Sequence, residues 1–282
     1  VLASMLLLGA CGGSDHGDEV PDNGTPPPVQ TGSQRGDLIA QPVMRHALSR
    51  NDIDDLSQHA SLRAVTGDAD CAVTVYEIDY QTIGGRSEPT NATAAVMVPS
   101  GDGCAGPRPV ALYARGTSSD RTKNMANVDT DTEATAILAL LAAQGFTVVA
   151  PNYTGYDRST LAYHPYLIAE AQADDMVDAL RAFRKAAPAL AVADSGQLFL
   201  TGYSQGGFVA MATHRAIDQR YAAEFRVTAS APMSGPYALA SFQNRIFSGE
   251  QNVGAALFTP MLINGLQNVY GNIYGSPTEI YA

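Results

Sequence analysis

Gly202-Tyr203-Ser204-Gln205-Gly206-Gly207 is the stretch whose residue types and spacing point to covalent chemistry. The serine lies in a G-x-S-x-G pattern, after the apolar run Leu198-Phe199-Leu200 and before Phe208-Val209-Ala210-Met211-Ala212. That order predicts a buried strand, a tight strained turn and a packed helix, the geometry of a nucleophile elbow. Glycine at 202 and 206 lets strand and helix approach without a side-chain clash. Ser204 Oγ is then exposed at the tip, with the free N–H groups of the first helical turn beside it to stabilise an oxyanion. A glycine-rich strand-to-helix turn without chemistry is the competing reading.

A serine hydroxyl is a weak nucleophile until a base takes its proton. In a strand–elbow–helix fold the chain order is Ser, then Asp or Glu, then His. After Ser204 the sequence holds one histidine, His214, far along the elbow helix, roughly 15 Å down its axis and away from the strand ends. His46 and His59 precede the sheet, and His16 reads as solvated. His164 falls near the strand ends but on the wrong side in chain order, and reads as a structural or rim residue. Asp218, Glu224, Glu250 and Glu279 follow the serine, and none sits just past a recognisable late strand. The expectation is a chain truncated at both ends. The last strands of the sheet, with the loops carrying acid and base, would lie beyond Ala282, and the fragment alone would be inactive. The alternative is a non-catalytic binding or surface protein that kept the fold.

The elements that must position Ser204 read as follows. Residues 37–70 have scattered apolar positions and suggest short helices on the domain edge. Ala72–Tyr80 and Thr93–Pro99 alternate and are β-branched-rich, an antiparallel strand pair around Gly84-Gly85. Cys71 opens the first strand and Cys104 follows the second, so a Cys71–Cys104 disulfide is geometrically reasonable. Pro109–Ala114 and Phe146–Ala150 are continuous apolar runs, strands buried on both faces. Thr130-Asp131-Thr132-Glu133 fits a capping box opening a helix that Gly145 stops. Met176, Val177, Leu180 and Phe183 mark a long helix, and Val227–Pro232 the next strand. The alternation of strand and helix predicts an α/β fold, a mostly parallel sheet with helices on both faces. Ligands of such sheets bind beyond the carboxyl ends of the strands, where Arg115-Gly116-Thr117, Asn152–Gly155 and Ser204 converge. After about Ala240 the strand rhythm stops, and residues 241–282 read as a helical cap or lid.

A formal charge of −11 argues against nucleic acid and anionic membrane surfaces as electrostatic partners. No H-E-x-x-H, clustered Cys/His or phosphate-binding glycine loop is present, so neither metal nor organic cofactor is implied. Residues 1–10 are an apolar stretch of signal-peptide type. They run into Leu8-Gly9-Ala10-Cys11-Gly12, which resembles a bacterial lipobox with Cys11 as the lipidated residue. An ordinary cleaved signal with a chance cysteine is the other reading. Residues 11–36, rich in Gly, Pro, Asp and Ser, read as a disordered tether, followed by a core over 37–240. This predicts a monomer on the cell-envelope, periplasmic side, anchored to membrane by an N-terminal lipid, or else secreted.

From about residue 72 to 240 the chain resembles the α/β-hydrolase superfamily, and more narrowly secretory lipases and related bacterial esterases. The likeness rests on Asp79-Tyr80-Gln81-Thr82, Arg115-Gly116-Thr117, Ala150–Tyr156, His164-Pro165-Tyr166-Leu167 and the elbow. It implies a serine carboxylic ester hydrolase acting on a small-molecule ester or lipid through an acyl-enzyme at Ser204. It also implies the Gln205 N–H as one oxyanion donor, with the second at Thr117 or its neighbour. The family often has His-Gly-Thr there, and this chain has Arg115 in the histidine position. The same elbow serves serine peptidases and acyltransferases. A helical lid after the strand following the elbow fits residues 241–282. No position matches the acid and histidine the family requires.

Overall fold

The computed structural model describes residues 34–250 and 254–280. The expectations for residues 1–10, Cys11 and His16 lie outside them. In chain order the described elements are β1 (Val43–Leu48), α1 (Arg50–His59), α2 (Arg63–Thr66), β2 (Ala72–Ile83), β3 (Pro89–Ser100) and β4 (Arg108–Ala114). Then come α3 (Thr132–Leu140), β5 (Thr147–Pro151), α4 (Ala169–Ala186), β6 (Asp194–Tyr203), α5 (Gln205–Arg220) and β7 (Ala229–Met233). Two further helices follow, α6 (Leu239–Phe247) and α7 (Ala255–Tyr270).

Strand order in the seven-stranded sheet is β1-β2-β3-β5-β4-β6-β7. The first three strands and β5 pair antiparallel. β5, β4, β6 and β7 pair parallel. Four strands therefore end together at Ala114, Pro151, Tyr203 and Met233. Alternation along the strands builds a core on each face. Val110, Leu112 and Ala114 of β4 pack with Leu180 and Phe183 of α4 and with Val209 of α5. Ala111 and Tyr113 face the other way, against Ile53 of α1 and Leu138 of α3. Leu112, Leu138, Leu180 and Phe183 are fully buried, each worth about 2–3 kcal/mol of apolar transfer.

The structure corrects three expectations. Residues 37–70 are not helices alone: Val43–Leu48 is an edge strand on β2, with α1 and α2 after it. Thr130 does not cap α3; Asp131 does, accepting from the Ala134 N–H. The Glu133 carboxylate that a capping box needs instead accepts from Gly116 N at 2.6 Å and the Tyr113 hydroxyl at 2.9 Å. Arg35 and Gly36, assigned to the tether, are built into the fold. Arg35 pairs with Asp178 at 2.9 Å, and Gly36 N donates to Gln81 O at 2.7 Å. Cys71 and Cys104 are joined by a disulfide, with Cα atoms 5.8 Å apart. After β7 the described chain is helical, with a short 3₁₀ turn at Pro277–Glu279.

Candidate active site

Ser204 stands between the end of β6 and the start of α5 at φ 58° and ψ −121°. That is a strained conformation for a residue with a Cβ, and such strain persists only where surroundings over-determine it. Here the Ser204 N–H is held by Met233 O of β7 at 3.0 Å, and its carbonyl accepts from Gly207 N at 3.0 Å. Glycine is required alongside. A Cβ on Gly202 would meet the Ala114 carbonyl, and one on Gly206 would overlap it and lie 2.9 Å from Arg115 O. The elbow and the loop leaving β4 are thus pressed together, backbone to backbone.

This contact sets the start of the β4 loop against the elbow. Of the two predicted donors, Gln205 opens α5 directly after Ser204 and Thr117 lies on the β4 loop. Their backbone N–H groups donate to no described acceptor, whereas the N–H of Gly116, next to Thr117, is taken by Glu133. Ser204 itself is half-buried. The Thr117 hydroxyl is 2.9 Å from the Tyr166 hydroxyl.

Beneath the elbow lies a buried polar layer. His164 is not a rim residue: its Nδ1 is 2.9 Å from Thr154 O and its Nε2 is 2.8 Å from the Gln205 amide nitrogen. A carbonyl only accepts, so Nδ1 carries the proton and Nε2 accepts from Gln205. Burial, with the Arg115 guanidinium beside it, lowers the His164 pKa to about 3 and keeps the ring neutral. Gln205 Oε1 is buried without a partner among the described residues. Arg115 is fully buried. It donates to Asn152 O at 2.8 Å and Gly116 O at 2.8 Å, and its guanidinium lies over the rings of Tyr153 and Tyr156. Arg115 thereby braces the β4 loop against the β5 loop. Asp175 accepts from the Tyr80 hydroxyl and Thr154 N; burial raises its pKa to about 7.

The candidate bases and acids do not assemble. Among the described residues Ser204 Oγ has no hydrogen-bond partner. His214 bonds Ser230 Oγ at 2.9 Å and sits near Asp218, and His46 lies by Asp129. His59 is in the last turn of α1. Glu224 pairs with Arg181, Glu250 with Arg245, and Glu279 accepts from Gly275 N. The site roles of Tyr166, Glu133 and Asp175 were not read from sequence. The His164-Pro165-Tyr166 triplet was the available signal for the first; the capping-box pattern marked Glu133 for another role, and no local pattern marks Asp175. Among the described residues there is no cluster of His, Cys, Asp and Glu able to hold a metal ion.

Fold and site together define an α/β hydrolase. The secretory lipase family model matches residues 119–275, more than half of the chain. The chain belongs to the secretory lipase family. It is similar in structure to a point variant of the rice cell wall degrading esterase LipA from Xanthomonas oryzae. The two are 36% identical with a TM-score of 0.79, over 87% of this chain and 63% of that one. The chain therefore spans less than two thirds of that relative's length. It shares the fold of Candida antarctica lipase A at 15% identity and a TM-score of 0.56, over 85% of this chain and 50% of that one. No curated protein sequence matches it.

Proposed function

We propose that this protein is a serine carboxylic ester hydrolase with Ser204 as nucleophile. One observation carries the reading: a serine at φ 58°, its hydroxyl without a described partner, on a strand-to-helix turn pressed against the β4 loop, with the backbone N–H groups of Gln205 and Thr117 proposed as the two oxyanion donors. Ser204 Oγ bonds to the ester carbonyl carbon and its proton passes to a base. The carbonyl oxygen becomes an oxyanion held by the two N–H groups. The carbon–oxygen bond to the alcohol breaks, the alcohol leaves with that proton, and water then releases the acid from the acyl-enzyme. No described histidine reaches Ser204, so the reading requires a base and an acid from chain outside the described residues. Helices α6 and α7 form a lid over the site, favouring small-molecule esters or lipids with an apolar acyl part. The N-terminal Cys11 carries a lipid that anchors a monomer on the cell-envelope side of a membrane.

The test uses the full-length protein with p-nitrophenyl esters and a fluorophosphonate probe. Ser204→Ala is expected to lower kcat at least about 10⁴-fold and abolish labelling. Wild-type turnover in that variant would overturn the reading. A wild-type protein inert to esters, peptides and probe would favour a binding protein of this fold.

A further inference from the structure

Thr117 sits in a loop outside any helix or strand, so the regular backbone does not fix its N–H. The structure supplies a fixing point from elsewhere. The chain reverses at Pro165, where Tyr166 N donates to His164 O at 2.8 Å. His164, on one side of this reversal, bonds Gln205 at 2.8 Å. Tyr166, on the other, bonds the Thr117 hydroxyl at 2.9 Å and is almost wholly buried. The segment cannot drift, because the His164 ring is held against Tyr153 and Tyr156, with centroids 5.6 and 4.8 Å away. Above it passes α7. Gly265 comes so close that a Cβ there would lie 3.0 Å from Tyr166 N and 3.2 Å from Tyr166 O. Leu262 of the same helix packs with Tyr166 and Leu167.

We infer that Tyr166 is a positioning residue of the oxyanion site, holding the Thr117 N–H in place and linking it to the lid helix α7. The inference rests on the reading of Ser204 as nucleophile. An oxyanion donor works only within a few tenths of an ångström of its ideal distance, and small misplacements of a catalytic group are costly in rate. A loop donor tethered through one side-chain hydrogen bond therefore depends on the partner hydroxyl. Among the described residues the Tyr166 hydroxyl bonds Thr117 and not Ser204; it acts through Thr117.

The experiment is a double-mutant cycle on the full-length protein. Tyr166→Phe keeps the buried ring and removes one oxygen; Thr117→Val keeps the shape and the backbone N–H. Each is expected to lower kcat about 10-fold or more, with KM within about twofold of wild type. The double variant is expected to lose no more than the worse single one, because both remove the same link. Thr117→Ser, which retains a hydroxyl, is expected to restore most of kcat. Unchanged kcat in Tyr166→Phe, or losses that multiply in the double variant, would overturn the inference. Fluorophosphonate labelling keeps the two questions apart. A wild-type protein that is not labelled at Ser204 sinks the nucleophile reading, whereas rapid labelling of both wild type and Tyr166→Phe sinks only the role of Tyr166.

Discussion

Ser204 can hold its backbone only because its neighbours have no side chains where β6, α5 and the β4 loop meet. Gly206 is the tightest of these points, since a Cβ would overlap the Ala114 carbonyl. Gly206→Ala must move either that carbonyl or the first turn of α5. Either shift spoils the relation between Ser204 Oγ and the N–H groups beside it. The expected outcome is a stability loss of about 1–3 kcal/mol in urea denaturation, as for other overpacked sites. A fall in the fluorophosphonate labelling rate of at least about 10-fold should accompany it. Wild-type labelling would show that the close approach is not needed. The serine and its glycines were legible in the sequence because their constraint is local. The bonds Thr117–Tyr166 and Gln205–His164 were not, because they join residues 49 and 41 positions apart. Arg115 shows the same limit. Arginine in a position where the family often has histidine says nothing of its partners, and the fold gives it two carbonyls and two aromatic faces.

At the level of elements, the β2–β3 hairpin carries the antiparallel side of the sheet and leads into β4. Its open end is closed by the Cys71–Cys104 disulfide, whose residues are 33 positions apart and both buried. Replacing both cysteines by serine removes that constraint from the unfolded chain. It is expected to lower stability by about 3–4 kcal/mol on the chain-entropy model. Equilibrium urea denaturation measures this, and a change below about 1 kcal/mol would mean that the hairpin does not need the link. The elements read well from sequence where burial imposes a pattern. β4 and β5 are continuous apolar runs, and α4 has its apolar positions at helical spacing. β1 was missed for a physical reason. Its burial pattern is almost wholly exposed, Val43 and Met44 lie on the surface, and pairing with β2 holds it instead of burial. Arg45 on that strand reaches the buried Glu77 carboxylate at 3.0 Å, a contact no periodicity reports.

For the molecule as a whole, the polar layer between sheet and α4 sets a pH dependence that neither surface charge nor the −11 net charge describes. Two buried groups in it titrate far from their ordinary values and in opposite senses. Burial, then Arg115 and Arg121, lowers His164 to about 3, with the Thr154 carbonyl opposing. Burial, together with the nearby Asp178, raises Asp175 to about 7 against the hydrogen bonds of Tyr80 and Thr154 and the charge of Arg115. Between about pH 4.5 and 6.5 the unfolded chain holds a proton on the histidine that the fold excludes, so this term makes stability rise with pH. Over the same window the fold holds a proton on Asp175 that the unfolded chain has released, so this term makes stability fall as pH rises. The two slopes, each about 1.4 kcal/mol per pH unit, cancel. Asp175→Asn removes only the second. The variant should therefore gain on wild type as pH rises, by about 2 kcal/mol between pH 4.5 and 6.5. Urea denaturation of both proteins across that range measures the difference, from which groups not coupled to Asp175 drop out. Parallel profiles would mean that Asp175 is ionised in the fold, held so by Arg115 and its two hydrogen-bond donors.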